Sequence, residues 1–375
     1  GPGDTLWTSP ITFVASANCA LYCGAQVDFV DIDPVSYNMC PLALEKKLQH
    51  AQASGTLPKV LVPVHLSGLP CDMAAIHALS IRYGFRIIED ASHAIGARYG
   101  QAPVGNCQYS DITVFSFHPV KIITTGEGGI LLTENDEWAA KARLLRTHGI
   151  SRNPEEFTGL SDFPSSPDSA IRDQSSLAER GPWYYEMQEL GYNYRITDLQ
   201  CALGRSQLKR LPDFITRRQE IASCYNQAFS NLDWLKTPTL DSGHSSLDPL
   251  LPPDTNHSLP ATSSSSEVRP PPSAIQYHLS DLSLHLYTVQ IDFPRLGKSR
   301  TAVMQELSEQ AVGTQVLYIP VYLQPWYRRT YGYAPGKCPN AEQFYARALS
   351  LPLFPAMSDA DVEKVILAIQ SLKKT

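Results

Sequence analysis

Short apolar runs alternate with amphipathic stretches over the first 150 residues of the chain. The apolar runs predict buried strands at Val27–Ile32, Lys59–Val64, Phe85–Ile88, Asp111–Phe115 and Gly129–Thr133. Helical spacing predicts two helices, Asp72–Tyr83, with Asp72 as its N-cap, and Asp136–Arg146. Strands that alternate with helices of this length favour an α/β fold around a mostly parallel sheet.

The pattern changes after Gly149. Residues 153–180 are polar and broken by prolines, which predicts a loop insertion. Residues 239–280 contain a serine run and a proline run, and we predict a disordered insertion there because it can bury little apolar surface. A polyproline II ligand is the less favoured interpretation of this second segment. Other elements are predicted at Thr197–Leu208, Asp213–Leu232, Tyr287–Phe293 (a strand), Arg300–Glu309 and Asp359–Leu372.

The composition excludes several classes of protein. With 375 residues, 43% of them hydrophobic, the chain is long enough for two domains and too apolar for wholesale disorder. The net charge of -6 leaves no broad basic field for nucleic acid or for an anionic membrane surface. Its apolar runs are far shorter than the roughly 20 residues of a membrane-spanning helix. Eight scattered cysteines without a C-x-x-C pair favour a reduced cytoplasmic protein over a disulfide framework or a zinc site.

Asp90 stands at the carboxyl end of the strand predicted at Phe85–Ile88, in the segment Glu89-Asp90-Ala91-Ser92-His93. Ligands of open α/β sheets bind beyond that end of the strands, so Asp90 is a candidate binding residue. The segment fits equally well a carboxylate that only caps the following turn.

Lys121 follows another predicted strand, among apolar residues and before the glycine-rich turn Gly126–Gly129. Desolvation at such a position lowers the pKa of an amine and makes it a Schiff-base former. Most lysines in this pattern are simply solvated, which stays the alternative. The glycine-rich turn lacks both nucleotide-binding spacings and is weak evidence for a phosphate site.

The segment Gly191–Gln200 combines amides, tyrosines and Arg195 just before a predicted helix. This density of polar groups is compatible with a binding site. Alternatively, Thr197 or Asp198 only caps the helix and the tyrosines belong to a core.

Four motifs together resemble a known family, namely Pro10–Ala15, Glu89–Ala94, Ser116–Lys121 and Gly191–Gln200. They are similar to those of the DegT/DnrJ/EryC1/StrS aminotransferases, fold-type-I enzymes that use pyridoxal phosphate (PLP) to aminate nucleotide-linked keto sugars. Val316–Trp326 and Gly181–Gly191 look most similar to the branch of UDP-4-amino-4,6-dideoxy-N-acetyl-β-L-altrosamine transaminases, which serve pseudaminic acid synthesis. The resemblance covers nearly the whole chain apart from 153–180 and 239–280.

The resemblance implies a role for each matching residue around the cofactor. Lys121 would hold PLP covalently and then act as the base of the proton shift, and Asp90 would pair with the protonated pyridine nitrogen. His93 would bond the 3′ oxygen of the cofactor, and Phe13 would stack on its ring. Ser116 would bond the phosphate.

Further residues are implied to serve the partner subunit and the substrate. Asn193 would reach the phosphate of the neighbouring subunit's cofactor, which makes a homodimer part of the active site. Arg195 and Tyr318 are candidates for substrate contacts. Tyr322 departs from the family pattern, since relatives commonly have histidine at that position after Ile-Pro-Val.

The resemblance also implies a domain organisation. Residues 1–212 would form the large PLP-binding domain and residues 213–375 the small C-terminal α+β domain. Relatives carry a further segment before the position of Gly1, with a Gly-Thr/Ser loop for the phosphate, so we expect the large domain to be truncated at its front.

The function implied is transfer of an amino group from glutamate to the 4-keto group of a UDP-linked deoxy sugar, for surface glycan synthesis. One alternative is a PLP-dependent sugar dehydratase, in which histidine replaces the Schiff-base lysine; the presence of Lys121 favours transamination. The other is a non-catalytic, truncated family member that serves as a subunit or scaffold.

Overall fold

The computed structural model describes residues 1–157, 183–238 and 278–373. Most of the two predicted insertions, residues 158–180 and 239–277, therefore lies outside the described residues. The chain divides into two compact units, one formed by Gly1–Leu132 with Ala202–Thr375 and the other by Thr133–Cys201. The domain boundary expected at residue 212 stays a prediction.

In the described ranges the helices and strands have the following bounds. The strands are β1 Thr5–Thr8, β2 Gln26–Phe29, β3 Val60–Val62, β4 Arg86–Asp90, β5 Arg98–Tyr99, β6 Ala102–Pro103, β7 Ile112–Ser116, β8 Gly129–Leu132, β9 Ile150–Ser151, β10 Glu186–Met187, β11 Leu235–Lys236, β12 Tyr287–Ile291 and β13 Ala348–Leu351. The helices are α1 Ala15–Tyr22, α2 Pro41–Ser54, α3 Met73–Tyr83, α4 Asp136–Arg146, α5 Asp198–Leu208, α6 Leu211–Phe229, α7 Phe293–Leu296, α8 Arg300–Glu309, α9 Pro325–Tyr331, α10 Pro339–Arg347 and α11 Asp359–Ser371.

A six-stranded sheet organises the first unit, in the order β2-β1-β3-β4-β7-β8. All neighbouring strands are parallel except β8, which runs antiparallel to β7. The helices α1, α2 and α3 connect successive parallel strands, as parallel pairing requires. The predicted α/β class with a mostly parallel sheet is thereby confirmed.

The connection that leads into β4 follows from local sequence signals. The Asp72 carboxylate accepts a hydrogen bond of 3.3 Å from the Ala75 amide, which satisfies a free N–H group at the start of α3. Gly84 ends the helix at φ 79°, a left-handed conformation that glycine adopts without steric cost. The chain then enters β4, whose carboxyl end carries Asp90.

A second, antiparallel sheet belongs to the same unit, in the order β11-β12-β13. Every residue of β12 and β13 is buried. Side chains of α6 and α11 pack with this sheet into one core that includes Tyr225, Trp234 and Ile369. The two strands are therefore covered on both faces, although they carry the buried polar residues Thr288, Gln290 and Ser350 among apolar ones.

The second unit is small and is described by itself. Its helix α4 begins after Asn135, whose side chain accepts a 2.9 Å hydrogen bond from the Trp138 amide. The strands β9 and β10 pair antiparallel, with Glu186 opposite Ser151. In the described parts of the chain, no helix has the length and apolarity needed to cross a membrane.

Candidate active site

Asp90 lies at the carboxyl end of β4, as the sequence predicts. One carboxylate oxygen accepts a hydrogen bond of 2.6 Å from the Ser16 hydroxyl, and the other accepts one of 3.1 Å from the Ser92 amide. Ser16 lies in the first turn of α1, and its hydroxyl is also 2.8 Å from that of Thr12. Two separate parts of the chain therefore hold the Asp90 carboxylate in one orientation.

Phe13 stands just before α1, three residues from Ser16. Its side chain is 61% exposed, although it is a large aromatic group. Its carbonyl oxygen accepts a hydrogen bond of 3.3 Å from the Ser16 amide, which fixes the backbone of this turn. The structure thus presents an uncovered aromatic ring on the segment that orients Asp90, as a ring that stacks on a ligand requires.

Lys121 lies beyond the end of β7, followed by the buried residues Ile122 and Ile123. Its amide donates a hydrogen bond of 2.9 Å to the His118 carbonyl, which closes the turn. Burial lowers the pKa of the Lys121 amine, and the negative charge of Asp90 opposes this effect only in part. The amine is accordingly easier to deprotonate than that of a solvated lysine, and deprotonation is what a nucleophile or base needs.

His93 is buried close to Lys121 and is bonded on both sides of its ring. Its Nδ1 accepts a hydrogen bond of 3.3 Å from the Ser67 amide, and its Nε2 is 3.4 Å from the Tyr318 hydroxyl. Burial lowers the pKa of His93 well below its ordinary value, and the neighbouring His285 and Lys121 lower it further. His93 is therefore a neutral imidazole at physiological pH.

Tyr318 and Ser116 are the remaining candidate site residues of the first unit. Burial, helped by the charge of Asp90, raises the pKa of Tyr318 to about 12, so its hydroxyl keeps its proton. Ser116 ends β7, and its hydroxyl oxygen accepts a hydrogen bond of 3.3 Å from the His118 amide. The structure thus brings Asp90, His93 and Tyr318 together near Lys121, and places Ser116 at the start of the turn that leads to Lys121.

Asn193 and Arg195 belong to the second unit. The backbone of their segment is tied to the end of α4: the Tyr192 amide donates to the Leu145 carbonyl at 2.7 Å, and the Tyr194 amide to the Arg146 carbonyl at 2.9 Å. The side chains of Asn193 and Arg195 are exposed. The backbone of this segment is therefore fixed by hydrogen bonds, and the polar side chains of Asn193 and Arg195 are exposed on its surface.

The alternative that Thr197 caps the following helix also holds. The Gln200 amide donates to the Thr197 hydroxyl at 3.3 Å, and the Thr197 amide donates to the Gln200 side chain at 3.0 Å. The cap gives Thr197 a structural role in the motif. It gives no such role to Asn193 and Arg195.

Sequence reasoning missed three groups around this site, Ser16, Ser67 and His285. Ser16 lies just after the motif Pro10–Ala15, Ser67 lies outside the four motifs, and His285 is a single histidine before a buried strand. Their partners are remote in sequence, so the tertiary fold alone brings them into the site. Only His285 could have been found from the sequence. Its polar ring lies in a mostly apolar stretch, and a buried polar group usually has a hydrogen-bond partner or a function.

Tyr322 is not part of the site. It is fully buried in an aromatic cluster with Phe29 and Tyr333, at ring-centroid distances of 5.8 and 6.3 Å. Its hydroxyl donates to the Glu342 carboxylate and accepts from the Cys338 amide at 3.3 Å. The departure from the family's histidine is thus explained by a core role.

The residues present fit PLP as a cofactor. The site joins an amine whose pKa is lowered, a carboxylate held by two donors and a neutral imidazole beside a protonated phenol. The buried His285 also leaves its Nδ1 without a hydrogen-bond partner among the residues that the structure describes. In the same residues no group of three or more metal-binding side chains is found.

Comparison with known proteins identifies the family. The profile of the DegT/DnrJ/EryC1/StrS aminotransferase family matches residues 1–252 and 255–370. The chain is 36% identical over 375 residues to the spore coat polysaccharide biosynthesis protein SpsC of Bacillus subtilis, covering 100% of this chain and 80% of SpsC.

Solved structures have the same fold. PseC of Helicobacter pylori, an aminotransferase involved in the biosynthesis of pseudoaminic acid, matches with a TM-score of 0.75 at 25% identity, over 100% of this chain and 81% of PseC. The PLP form of the sugar aminotransferase Spr1654 of Streptococcus pneumoniae, itself described as putative, matches with a TM-score of 0.72 at 23% identity, over 100% of this chain and 82% of Spr1654. The chain belongs to the DegT/DnrJ/EryC1/StrS aminotransferase family, and it is a sugar aminotransferase with PLP as its cofactor.

Proposed function

We propose that this protein transfers an amino group from glutamate to the 4-keto group of a UDP-linked deoxy sugar, as a step of surface glycan synthesis. Support comes from SpsC, whose name refers to spore coat polysaccharide, and from PseC, which is described by its part in pseudoaminic acid synthesis. The branch motifs Val316–Trp326 and Gly181–Gly191 point in the same direction.

The observation that carries the proposal is the lowered pKa of Lys121 beside the fixed carboxylate of Asp90. PLP supplies an electron sink that stabilises negative charge at the carbon next to the amine. Lys121 is the group that binds the cofactor and then moves a proton through its Nζ. Asp90 pairs with the pyridine nitrogen, because a carboxylate held in place by Ser16 and Ser92 favours a protonated nitrogen opposite it.

The remaining residues around Lys121 position the cofactor. We assign His93 to the 3′ oxygen, Phe13 to the face of the ring and Ser116 to the phosphate. The 61% exposure of Phe13 supports its assignment, since a buried aromatic ring offers no face to a ligand. Tyr318, with its hydroxyl proton retained, is proposed to contact the substrate.

We further propose a homodimer in which Asn193 reaches the phosphate of the partner subunit's cofactor and Arg195 contacts the substrate. The second unit exposes seven large apolar side chains between residues 183 and 199, which a second subunit would cover. They are Trp183, Tyr185, Met187, Leu190, Tyr192, Tyr194 and Leu199.

The proposed role of Lys121 is tested by the absorbance of the purified protein with PLP before and after borohydride reduction. The wild-type protein should show a reducible cofactor band, and Lys121→Ala should lack it. Lys46→Ala, which removes an exposed lysine of α2, is the matched control and should behave as the wild type. The same reducible band in Lys121→Ala would reject the assignment.

The substrate is tested by incubating the PLP-loaded protein with glutamate and a panel of UDP- and dTDP-linked 4-keto sugars. Mass spectrometry should detect the amino sugar only with a UDP-linked substrate, together with 2-oxoglutarate. A deoxygenated product would instead indicate a dehydratase. Amination of dTDP-linked sugars alone would reject the UDP assignment and leave the aminotransferase activity intact.

A further inference from the structure

Three hydrogen bonds connect His93 and the segments that carry Ser67 and His285, and two of them are made by His93 itself. The Ser67 amide donates to Nδ1 of His93 at 3.3 Å, and the Ser67 carbonyl accepts from the His285 amide at 2.9 Å. The Ser283 hydroxyl donates to the His93 carbonyl at 3.0 Å. His93, Ser283 and His285 are buried and Ser67 is partly buried, so water competes little for these bonds.

The hydrogen bond from Ser67 determines where His93 carries its proton. A backbone N–H group can only donate, so Nδ1 must offer a lone pair to it. In a neutral ring the single proton then sits on Nε2. Ser67 adopts φ 60° and ψ 4°, a left-handed conformation that non-glycine residues rarely take, and this conformation directs its amide and its carbonyl as observed.

The ring of His285 packs against that of His93, with centroids 4.4 Å apart and an angle of 42° between the planes. The segment that carries His285 is fixed from the other side by Arg218 of α6, whose guanidinium donates to the carbonyls of Leu284 and His285 at 3.2 Å each. The His285 ring is therefore held against the His93 ring and hinders its rotation.

The positively charged groups around the rings of His93 and His285 oppose the protonation of both rings. Lys121 lies near both histidines, and Arg218 lies near His285, while Asp90 and Tyr318 face the site from β4 and from the segment after α8. Burial lowers the pKa of His285 well below its ordinary value, with further lowering by Lys121 and Arg218. Both imidazoles are thus neutral, and neither repels the lysine.

We propose that Ser67 and His285 are positioning residues that hold His93 as a fixed Nε2–H hydrogen-bond donor toward the cofactor. This inference rests on the proposed place of His93 at the 3′ oxygen of PLP. A donor at that place stabilises negative charge on the oxygen, whereas the other tautomer would present a lone pair to it. The Tyr318 oxygen lies 3.4 Å from Nε2, which is long for a hydrogen bond, so it engages the Nε2–H only weakly and leaves it available to the 3′ oxygen.

The test is ¹⁵N NMR of histidine-labelled protein without PLP, in which the signals of His93 are assigned by their loss in His93→Gln. Wild-type His93 should show a protonated Nε2 and an unprotonated Nδ1, unchanged between about pH 6 and pH 8. Ser67→Gly, which keeps the amide and is compatible with a positive φ, should preserve this pattern. A protonated Nδ1, or a doubly protonated ring at the lower pH, would overturn the proposal.

The contribution of His285 is separated by a pair of variants. His285→Ala should mix the two tautomers or broaden the His93 signals, whereas His285→Phe, which keeps a ring against His93, should leave them sharp. His77→Ala is the matched control, because it removes another histidine-aromatic contact, the one with Tyr109 at 5.8 Å. An unchanged His93 pattern in His285→Ala would reject His285 as a positioning residue.

Two proposals can fail separately: the positioning of His93 by Ser67 and His285, and the place of His93 at the 3′ oxygen. The absorbance of the PLP-loaded protein tests the second one. His93→Gln keeps an N–H donor and should retain the cofactor band, and His93→Leu should shift it. If His93→Leu leaves the band unchanged, the role at the 3′ oxygen is rejected and the proposal with it. In that case the NMR pattern still shows whether Ser67 sets the tautomer.

Discussion

The Ser16 hydroxyl donates a hydrogen bond of 2.6 Å to the carboxylate of Asp90, which lies 74 residues further along the chain. This bond joins the first turn of α1 to the carboxyl end of β4. The parallel strands β1 and β4 lie on either side of β3, so their carboxyl ends are at the same edge of the sheet. The helix α1 follows β1 and therefore begins at this edge, close to Asp90. The contact therefore places the segment of Phe13 beside the carboxylate.

Ser16→Ala removes this hydrogen bond and leaves one Asp90 oxygen without its donor. A hydrogen bond to a charged group contributes about 2 kcal/mol, so we expect a loss of unfolding free energy of that size and weaker retention of PLP. Chemical denaturation and a PLP titration measure the two effects. The control is Ser80→Ala, which removes a hydroxyl that donates to the His77 carbonyl within α3. Equal PLP retention in Ser16→Ala and the wild type would contradict the role assigned to Ser16.

Glu89 precedes Asp90 and points to the opposite face of β4, where it is buried. Its carboxylate accepts hydrogen bonds from His65 at 2.7 Å, from Thr113 at 3.1 Å and from Ser110. Burial by itself raises the pKa of Glu89, but these donors outweigh it, so the pKa of Glu89 lies below its ordinary value of 4.5.

Glu89→Gln replaces an acceptor that serves three donors by an amide, and we expect it to lower the unfolding free energy by about 2–3 kcal/mol at neutral pH. A carboxyl group with a depressed pKa stabilises the fold above the ordinary pKa, and this stabilisation is lost as the pH falls through the folded pKa. The difference between wild type and variant should thus shrink below about pH 4.5. Urea denaturation over a series of pH values measures it.

Glu363→Gln, on the exposed face of α11, is the control and should show little difference from the wild type at any pH. If the difference in unfolding free energy between the wild type and Glu89→Gln stays constant down to low pH, the lost stability comes from the shape of the side chain and not from its charge.

Tyr322→Phe keeps the buried ring and removes the hydroxyl that bonds Glu342 and Cys338. We expect a loss of about 1 kcal/mol in unfolding free energy and an unchanged kcat/KM, because the ring lies in the core and not in the site. Thermal denaturation and steady-state kinetics separate the two quantities. A raised KM for the sugar nucleotide would show instead that Tyr322 keeps the substrate role of the family's histidine.

Mixed subunits test the shared active site. If Asn193 serves the partner subunit's cofactor, Asn193→Ala and Lys121→Ala proteins are each inactive, but a mixed dimer contains one site with both residues intact. After unfolding and refolding an equimolar mixture, random pairing should restore about a quarter of the wild-type activity. No gain over the separate variants would contradict the shared site, and a monomer in light scattering would reject the dimer itself.

Local signals in the sequence determined several elements and the positions of two candidate site residues. Helices α4 and α8 have the predicted bounds, Asp136–Arg146 and Arg300–Glu309, because an N-cap residue and an amphipathic pattern lie within one segment. Asp90 was predicted at a strand end and Lys121 beyond another, since the pattern of strands and polar residues places them there.

Other elements lacked such signals. Strand β1 is only four residues long, and α1 consists largely of small residues without a side-chain N-cap, so neither was predicted. The predicted helix Asp213–Leu232 begins earlier, at Leu211, because Pro212 is accommodated in its first turn.

The tertiary structure decided which remote groups surround the predicted ones. Ser16 meets Asp90 and Ser67 meets His93 because parallel strands bring their carboxyl ends to one edge of the sheet. His285 reaches His93 from the start of β12, 192 residues away along the chain. The spacing of residues along the sequence does not predict such contacts, because the partners become neighbours only when the core has formed. The positions of Asp90 and Lys121 beyond the ends of strands were therefore predictable from the sequence, while the orientation and protonation of their surroundings depend on the fold.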